Sequence, residues 1–219
     1  MTRLELNEVN YRYKNSNRDV LKKVSCTFED GQLISIVGPS GSGKTTLLSI
    51  MAGLDKPSDG KVLFQGDDLT NLNLDQYRRE KASIIFQAFH LFPLLTVLEN
   101  VSYPMEMNGI GAKEAKKRAK ELLVAVHITE DKFKRYPANL SGGEQQRVAI
   151  ARALASGAKI IFADEPTGNL DVENGEAVIE ILRELAHNEG YCVIIVTHNM
   201  EIAEASDVVY RMSDGVISC

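Results

Sequence analysis

Leu33-Ile34-Ser35-Ile36-Val37-Gly38-Pro39-Ser40-Gly41-Ser42-Gly43-Lys44-Thr45-Thr46-Leu47-Leu48 is the stretch that decides the fold. Its first five residues read as a short apolar strand, and Thr45 to Ala52 as a helix, with a glycine-rich turn between them. Residues 38–45 match G-x-x-x-x-G-K-[ST] at every fixed position, in the strand–turn–helix setting that the pattern requires. Glycines let such a turn curl until successive backbone N–H groups point inward, and the N-terminus of the following helix adds partial positive charge. That combination suits a phosphate chain. Lys44 is placed to reach the β- and γ-phosphates, and the Thr45 hydroxyl to coordinate Mg²⁺.

Working outward, residues 4–13 and 24–28 alternate apolar and polar side chains, as half-buried strands do, with a polar hairpin loop from Asn15 to Asp19. Lys61 to Phe64 and Ser83 to Phe86 read as further short strands. Ile160-Ile161-Phe162-Ala163 and Val193-Ile194-Ile195-Val196 are unbroken apolar runs, expected of parallel strands covered on both faces. Between Ala112 and Val126, Ala115, Ala119, Leu122 and Leu123 fall at helical spacing, and Lys113, Lys116, Lys117 and Lys120 form a solvated opposite face. Val208 to Arg211 and Val216-Ile217 flank a Ser213-Asp214-Gly215 turn, a closing hairpin. The fold class is therefore α/β with a β-rich N-terminal edge.

Composition narrows the function. The chain has 219 residues, 44% of them apolar, enough for a core without disulfide or metal support. No apolar run approaches the ~18 residues of a membrane span, and the charged opening, Met1 to Glu8, does not resemble a signal peptide. The expectation is a cytosolic domain. Thirty Asp and Glu outnumber 25 Lys and Arg, which argues against a nucleic-acid surface. Cys26 and Cys192 read as small buried side chains, and Cys219 carries no assigned role.

Three further features point to chemistry on a phosphate. The apolar run 160–163 ends in Asp164-Glu165; the first carboxylate suits Mg²⁺ and the second suits the attacking water, and Pro166 ends the strand. His198 follows the strand 193–196, at the sheet edge where α/β ligands bind. Leu140-Ser141-Gly142-Gly143-Glu144-Gln145 opens a helix: Ser141 is a natural N-cap and Glu144 completes a capping box. Two glycines in a first turn are costly for a helix and leave bare N–H groups facing outward, a second site of phosphate size.

With these residues in view, the chain resembles the ATP-binding-cassette (ABC) ATPases over essentially its whole length. The motifs occur in that family's order: the P-loop at 38–45, Gln87, the signature at 140–145, Asp164-Glu165, Asn169-Leu170-Asp171 and His198. The resemblance implies residues 1–219 as a single ATP-binding domain, with a P-loop core, an antiparallel β subdomain and a helical subdomain at about 88–157. It implies ATP and Mg²⁺ as ligands. Nucleotide binding would fall to Tyr13, Gly38, Pro39, Ser40, Gly41, Ser42, Gly43, Lys44, Thr45, Thr46, Ser141, Gly142, Gly143, Glu144 and Asp171. Tyr13 would stack on adenine, with Tyr11 as competitor in Tyr11-Arg12-Tyr13-Lys14, and Val20 would lie near the ribose. Mg²⁺ would be held by Thr45, Gln87 and Asp164. Glu165 would be the general base, His198 would hold the γ-phosphate, and Gln87 would contact the attacking water.

The same resemblance implies a head-to-tail homodimer, with Ser141 and Gly143 of one copy closing over the P-loop of the other. Lys44 and Ser141 stand too close for the long insertions of chromosome and repair cassettes. The run from Phe86 to Val101 carries exposed-looking aromatics, which in transporter cassettes dock a membrane subunit. With Met51-Ala52-Gly53-Leu54-Asp55-Lys56-Pro57, residues 163–171 and Thr197-His198-Asn199, it is similar to the bacterial branch of macrolide-exporter (MacB-type), lipoprotein-releasing (LolD-type) and division-linked (FtsE-type) ATPases. The implied partners are an integral-membrane permease and an extracytoplasmic adaptor, at the cytoplasmic face of the cell membrane. The function this implies is the ATP-hydrolysing subunit of a MacB-type efflux system for peptides, antibiotics or other amphipathic compounds. The alternatives are a lipoprotein-releasing or division-linked (FtsE-type) ATPase and, behind these, a non-transport ATPase acting on DNA, and no nucleic acid is expected.

Overall fold

The structure, a computed structural model, describes residues 3–14, 16 and 18–218. Asn15 and Asn17 of the expected N-terminal loop, and Cys219, lie outside the described residues. Strands β1 (Arg3–Tyr11) and β2 (Leu21–Glu29) pair antiparallel, closing at Tyr11 against Leu21. They form a sheet in the order β2-β1-β4-β5 with β4 (Asp59–Phe64) and β5 (Asp67–Asp68). Tyr11 ends β1 two residues short of the alternation at 4–13, after a register shift between Val9 and Tyr11.

A second sheet holds β3 (Leu33–Val37), β6 (Ala82–Phe86), β7 (Ile160–Asp164), β8 (Cys192–Thr197), β9 (Val208–Ser213) and β10 (Val216–Ser218), in the order β10-β9-β3-β8-β7-β6. All its pairings are parallel except the β9–β10 hairpin. Asp214 and Gly215 both have positive φ, as a two-residue turn between twisted strands requires.

Alternate residues of each central strand enter different cores. Ile161, Ala163, Val193 and Ile195 face one; Ile160, Phe162, Ile194 and Val196 face the other. Because both faces are buried, the strands read as continuous apolar runs. The first core is covered by α3 (Val97–Met107), α4 (Ala112–Ala125), α5 (Gly142–Ala155) and α6 (Val172–Glu189). The second is filled by α1 (Lys44–Met51) and the inner face of the antiparallel sheet. Two short helices, α2 (Leu74–Glu80) and α7 (Met200–Glu204), complete the fold. Cys192 is buried in the second core, whereas Cys26 is only half-buried against it. Among the described residues, no helix is long and apolar enough to cross a membrane.

Helix α3 occupies part of the aromatic run that follows Phe86. Thr96 and Glu99 cap it reciprocally, and Pro104 sits inside it. Buried Asn100 donates to the carbonyls of Phe92, Leu95 and Thr96 and accepts from the N–H of Phe92, which fixes the loop before the helix.

Candidate active site

Four neighbouring parallel strands deliver the site. Val37 stands opposite Thr197, Val196 opposite Asp164, and Asp164 opposite Phe86, so the strands end level. The next residues along each chain are Gly38, His198, Glu165 and Gln87. Parallel pairing alone brings four segments, distant in sequence, to one edge of the sheet. His198, Glu165 and Gln87 line an open cleft of about 520 Å³ together with Tyr13, Val20, Ser40, Gly41, Gly43, Lys44, Thr45 and Thr46.

The loop 38–43 bends as its glycines permit. Gly43 caps α1 with φ of 107°, a left-handed value that a side chain disfavours. Lys44 is buried, and its ammonium donates to the carbonyls of Gly38 (2.8 Å) and Pro39 (3.1 Å). An ammonium has three N–H groups, so one remains for a ligand in the cleft. Thr45 Oγ1 donates to Asp164 Oδ1 at 3.2 Å. Burial pushes the Asp164 carboxyl above its usual range, with the Glu165 charge adding to the rise; the Thr45 bond and Lys44 oppose it. A cation beside this group would favour its charged form.

Glu165 adopts a left-handed φ of 46°. Its N–H donates to Val196 O at 2.9 Å, and its carbonyl accepts from Gly168 N at 3.0 Å. One carboxylate oxygen faces His198 Nδ1 at 2.8 Å, and the other accepts from the Thr197 hydroxyl at 3.0 Å. Gln87 is tied to the Asn169 segment: Asn169 Nδ2 donates to Gln87 O at 3.0 Å.

Of the two tyrosines, Tyr13 lines the cleft and Tyr11 does not. Tyr11 is 8% exposed and packed in the second core, while Tyr13 is 49% exposed at the cleft, its hydroxyl 3.0 Å from Thr46 Oγ1. Tyr13→Ala is therefore expected to weaken adenine nucleotide binding by about 1–3 kcal/mol, the cost of a lost stacking partner. Tyr11→Ala is expected to lower stability by about 3–5 kcal/mol instead. Nucleotide titration and thermal unfolding of both variants separate the two effects.

Ser141, Gly142, Gly143, Glu144 and Asp171 do not line the cleft. Ser141 caps α5 as its sequence indicates, with the Ser141 N–H donating to Glu144 Oε2 at 2.9 Å. Burial disfavours the charged form of Glu144, yet its ion pair with Lys132 and the bonds from Ser141 hold its carboxyl below the usual range. Gly142 is half-buried. Gly143 is covered by Asn174, whose Oδ1 occupies the space a Cβ would need. Asp171 caps α6, accepting from Asn174 N at 2.9 Å, and this backbone bond lowers its pKa. Gln146 is wholly buried and donates to Pro166 O at 2.8 Å, linking α5 to the loop that carries Glu165. Neither Asn174 nor Gln146 stands out in sequence, because one is a polar residue in the first turn of α6 and the other sits at an ordinary core position.

A family model described as ABC transporter matches residues 21–168. The chain belongs to the ABC transporter ATP-binding family. The ABC transporter ATP-binding protein YclH of Bacillus subtilis (strain 168) is 40% identical to this cassette over 98% of its chain and 95% of YclH. The macrolide export ATP-binding/permease protein MacB of Shigella flexneri is 44% identical over 98% of the cassette, which spans only 34% of MacB. The dimeric structure of MJ0796, an ABC transporter cassette, superposes with a TM-score of 0.88 at 39% identity, covering 99% of this chain and 97% of that one. MJ0796 has also been solved as a dimer in a post-hydrolysis state bound to ADP and Pi. This cassette is thus an ATP-binding subunit of the ABC ATPase type, with the α/β fold of that family.

Proposed function

We propose that the cassette hydrolyses ATP on behalf of a bacterial efflux system of the MacB type, which moves peptides, antibiotics or other amphipathic compounds. The observation that carries ATP hydrolysis is the cleft joining Tyr13, the loop residues Ser40, Gly41, Gly43, Lys44, Thr45 and Thr46, and Gln87, Glu165 and His198; the 44% identity to MacB supports the efflux type. Tyr13 stacks on adenine and Val20 flanks the ribose. The loop N–H groups of Gly38, Ser40, Gly41, Ser42, Gly43, Lys44, Thr45 and Thr46, with the Lys44 ammonium, hold the phosphates, and Pro39, which has no N–H, stiffens the loop between them. Glu165 takes the proton from the attacking water, and His198 holds the γ-phosphate.

The donors at Thr45, Asp164 and Gln87 are all oxygens, which suits a hard cation. Among the described residues no three His, Cys, Asp or Glu side chains gather around one point. The fit is therefore to Mg²⁺ completing its shell with phosphate oxygens and water, as that ion prefers. When bound, Mg²⁺ neutralises charge on the phosphate oxygens.

Ser141, Gly142, Gly143, Glu144 and Asp171 act on the nucleotide of a second copy in a head-to-tail homodimer. Their place outside this chain's own cleft and the dimeric state of MJ0796 support that assembly. ATP that touches both copies favours the closed pair through differential affinity alone. We take residues 1–219 as one ATP-binding domain, in which the segment 88–157 is the helical part that joins the signature to the membrane-facing groove.

That groove holds about 460 Å³ between β6, α2, α3 and α5. Leu54, Phe92, Tyr103 and Met107 expose apolar surface there, and Arg78, Arg79 and Arg152 border it without any acidic side chain. It receives an integral-membrane permease, which holds the cassette at the cytoplasmic face of the cell membrane; an extracytoplasmic adaptor completes the system. Purification of the tagged chain from gently solubilised membranes tests this, with a permease carrying a large extracytoplasmic domain as the expected companion. Recovery of soluble proteins alone overturns it. Met107→Asp, at a position 63% exposed, is expected to leave the ATPase rate of the purified cassette within about twofold. It should reduce permease recovery at least about fivefold, because covering a carboxylate with the partner strips its water at a cost of several kcal/mol.

A further inference from the structure

We propose that Thr197 is a positioning residue for hydrolysis: it fixes Oε2 of Glu165, leaving Oε1 as the oxygen that meets the attacking water. The inference rests on the reading of Glu165 as the base. Thr197 is the last residue of β8 and is 1% exposed. Its hydroxyl accepts the N–H of Asn199 at 3.1 Å, at the cap of α7. With that backbone donor on its acceptor side, the one hydroxyl proton goes to Glu165 Oε2 at 3.0 Å. A directed chain of donors thus runs from a helix cap to the carboxylate.

The two carboxylate oxygens differ in what holds them. Oε2 is bound by a buried side chain on a central strand. Oε1 faces His198 Nδ1 at 2.8 Å, and the His198 side chain is 66% exposed while that of Glu165 is 18% exposed. An exposed imidazole turns away at little cost; a buried hydroxyl locked by a backbone N–H does not. The backbone agrees with this division. Glu165 is held at its left-handed φ by a bond from its N–H to Val196 O, so both its main chain and one carboxylate oxygen are fastened to β8. A strained backbone persists only where its surroundings over-determine it.

The test uses Thr197→Val, which keeps the shape and removes the donor, and Thr197→Ser, which keeps the donor. T197V is expected to lower kcat about tenfold, with KM for MgATP within about twofold, the pattern of a group displaced in the transition state, and to lower the melting temperature by a few degrees because the Asn199 N–H loses its acceptor. T197S should recover most of the lost rate. In a Glu165→Gln background, T197V should produce no further loss, since the hydroxyl acts through the carboxylate. Unchanged kcat in T197V overturns the proposal. So does equal impairment in T197S, which would place the effect in packing of the methyl group, or a rise in KM that accounts for the loss. Should T197V not fold, Thr197→Ala carries the same expectation. Failure of the base assignment shows separately, as turnover persisting in E165Q alone.

Discussion

Glu165→Gln is expected to reduce ATP turnover at least about 100-fold, the contribution of a positioned general base. The amide is the same size as the carboxylate, and both hydrogen bonds survive the change. Its oxygen accepts from Thr197, and its NH₂ donates to His198 Nδ1, replacing the contacts of 3.0 and 2.8 Å. Folding and nucleotide binding should therefore be retained while proton acceptance is lost. In the proposed homodimer, ATP left unhydrolysed should hold the two copies together, so light scattering in the presence of ATP should report a persistent dimer. Steady-state phosphate release measures the rate. Turnover within tenfold of the parent would remove Glu165 from the role of base.

Lys44→Ala acts earlier, on binding. The ammonium is buried and anchored to the carbonyls of Gly38 and Pro39, so it stands ready at the mouth of α1. Charge-assisted bonds are worth about 1.5–3 kcal/mol each, so losing one to phosphate weakens ATP binding roughly 10- to 100-fold. The substitution also removes a donor from two loop carbonyls, of which Pro39 O keeps the Ser42 N–H at 3.2 Å, and so loosens the loop itself. Calorimetric titration with ATP and with adenosine separates these effects: ATP affinity should fall by that factor, and adenosine, which carries no phosphate for Lys44 to meet, should bind nearly as before. Equal ATP affinity in the variant would place phosphate recognition in the backbone N–H groups alone.

Much of the site was legible because its residues are local in sequence. The turn at 38–45 declares its own conformation, since glycines and a following helix leave it few alternatives. Ser141 and Glu144 likewise announce the start of α5 three residues apart, and the unbroken apolar runs of β7 and β8 announce strands covered on both faces. Other elements were hidden. α3 carries its own capping box at Thr96 and Glu99, but Pro104 in the following turns breaks the usual pattern. The aromatic run that leads into it has no helical spacing, and the shape of that segment comes from Asn100, bonded to three of its carbonyls. α2 is short, and its cap at Asn73 precedes a polar sequence with only Tyr77 buried.

The sequence by itself determined the phosphate loop, the acidic pair at the end of an apolar strand, the capped signature helix and the α/β alternation. Each of these follows from the chemistry of neighbouring residues. Tertiary structure alone decided that Tyr13 and not Tyr11 reaches the cleft, since the choice depends on which ring the second core encloses. It also decided that Thr197 holds one oxygen of Glu165, and that Asn174 fills the space beside Gly143. These contacts join residues on different strands and helices. Their geometry comes from the level ends of β3, β8, β7 and β6, which only the register of the folded sheet establishes.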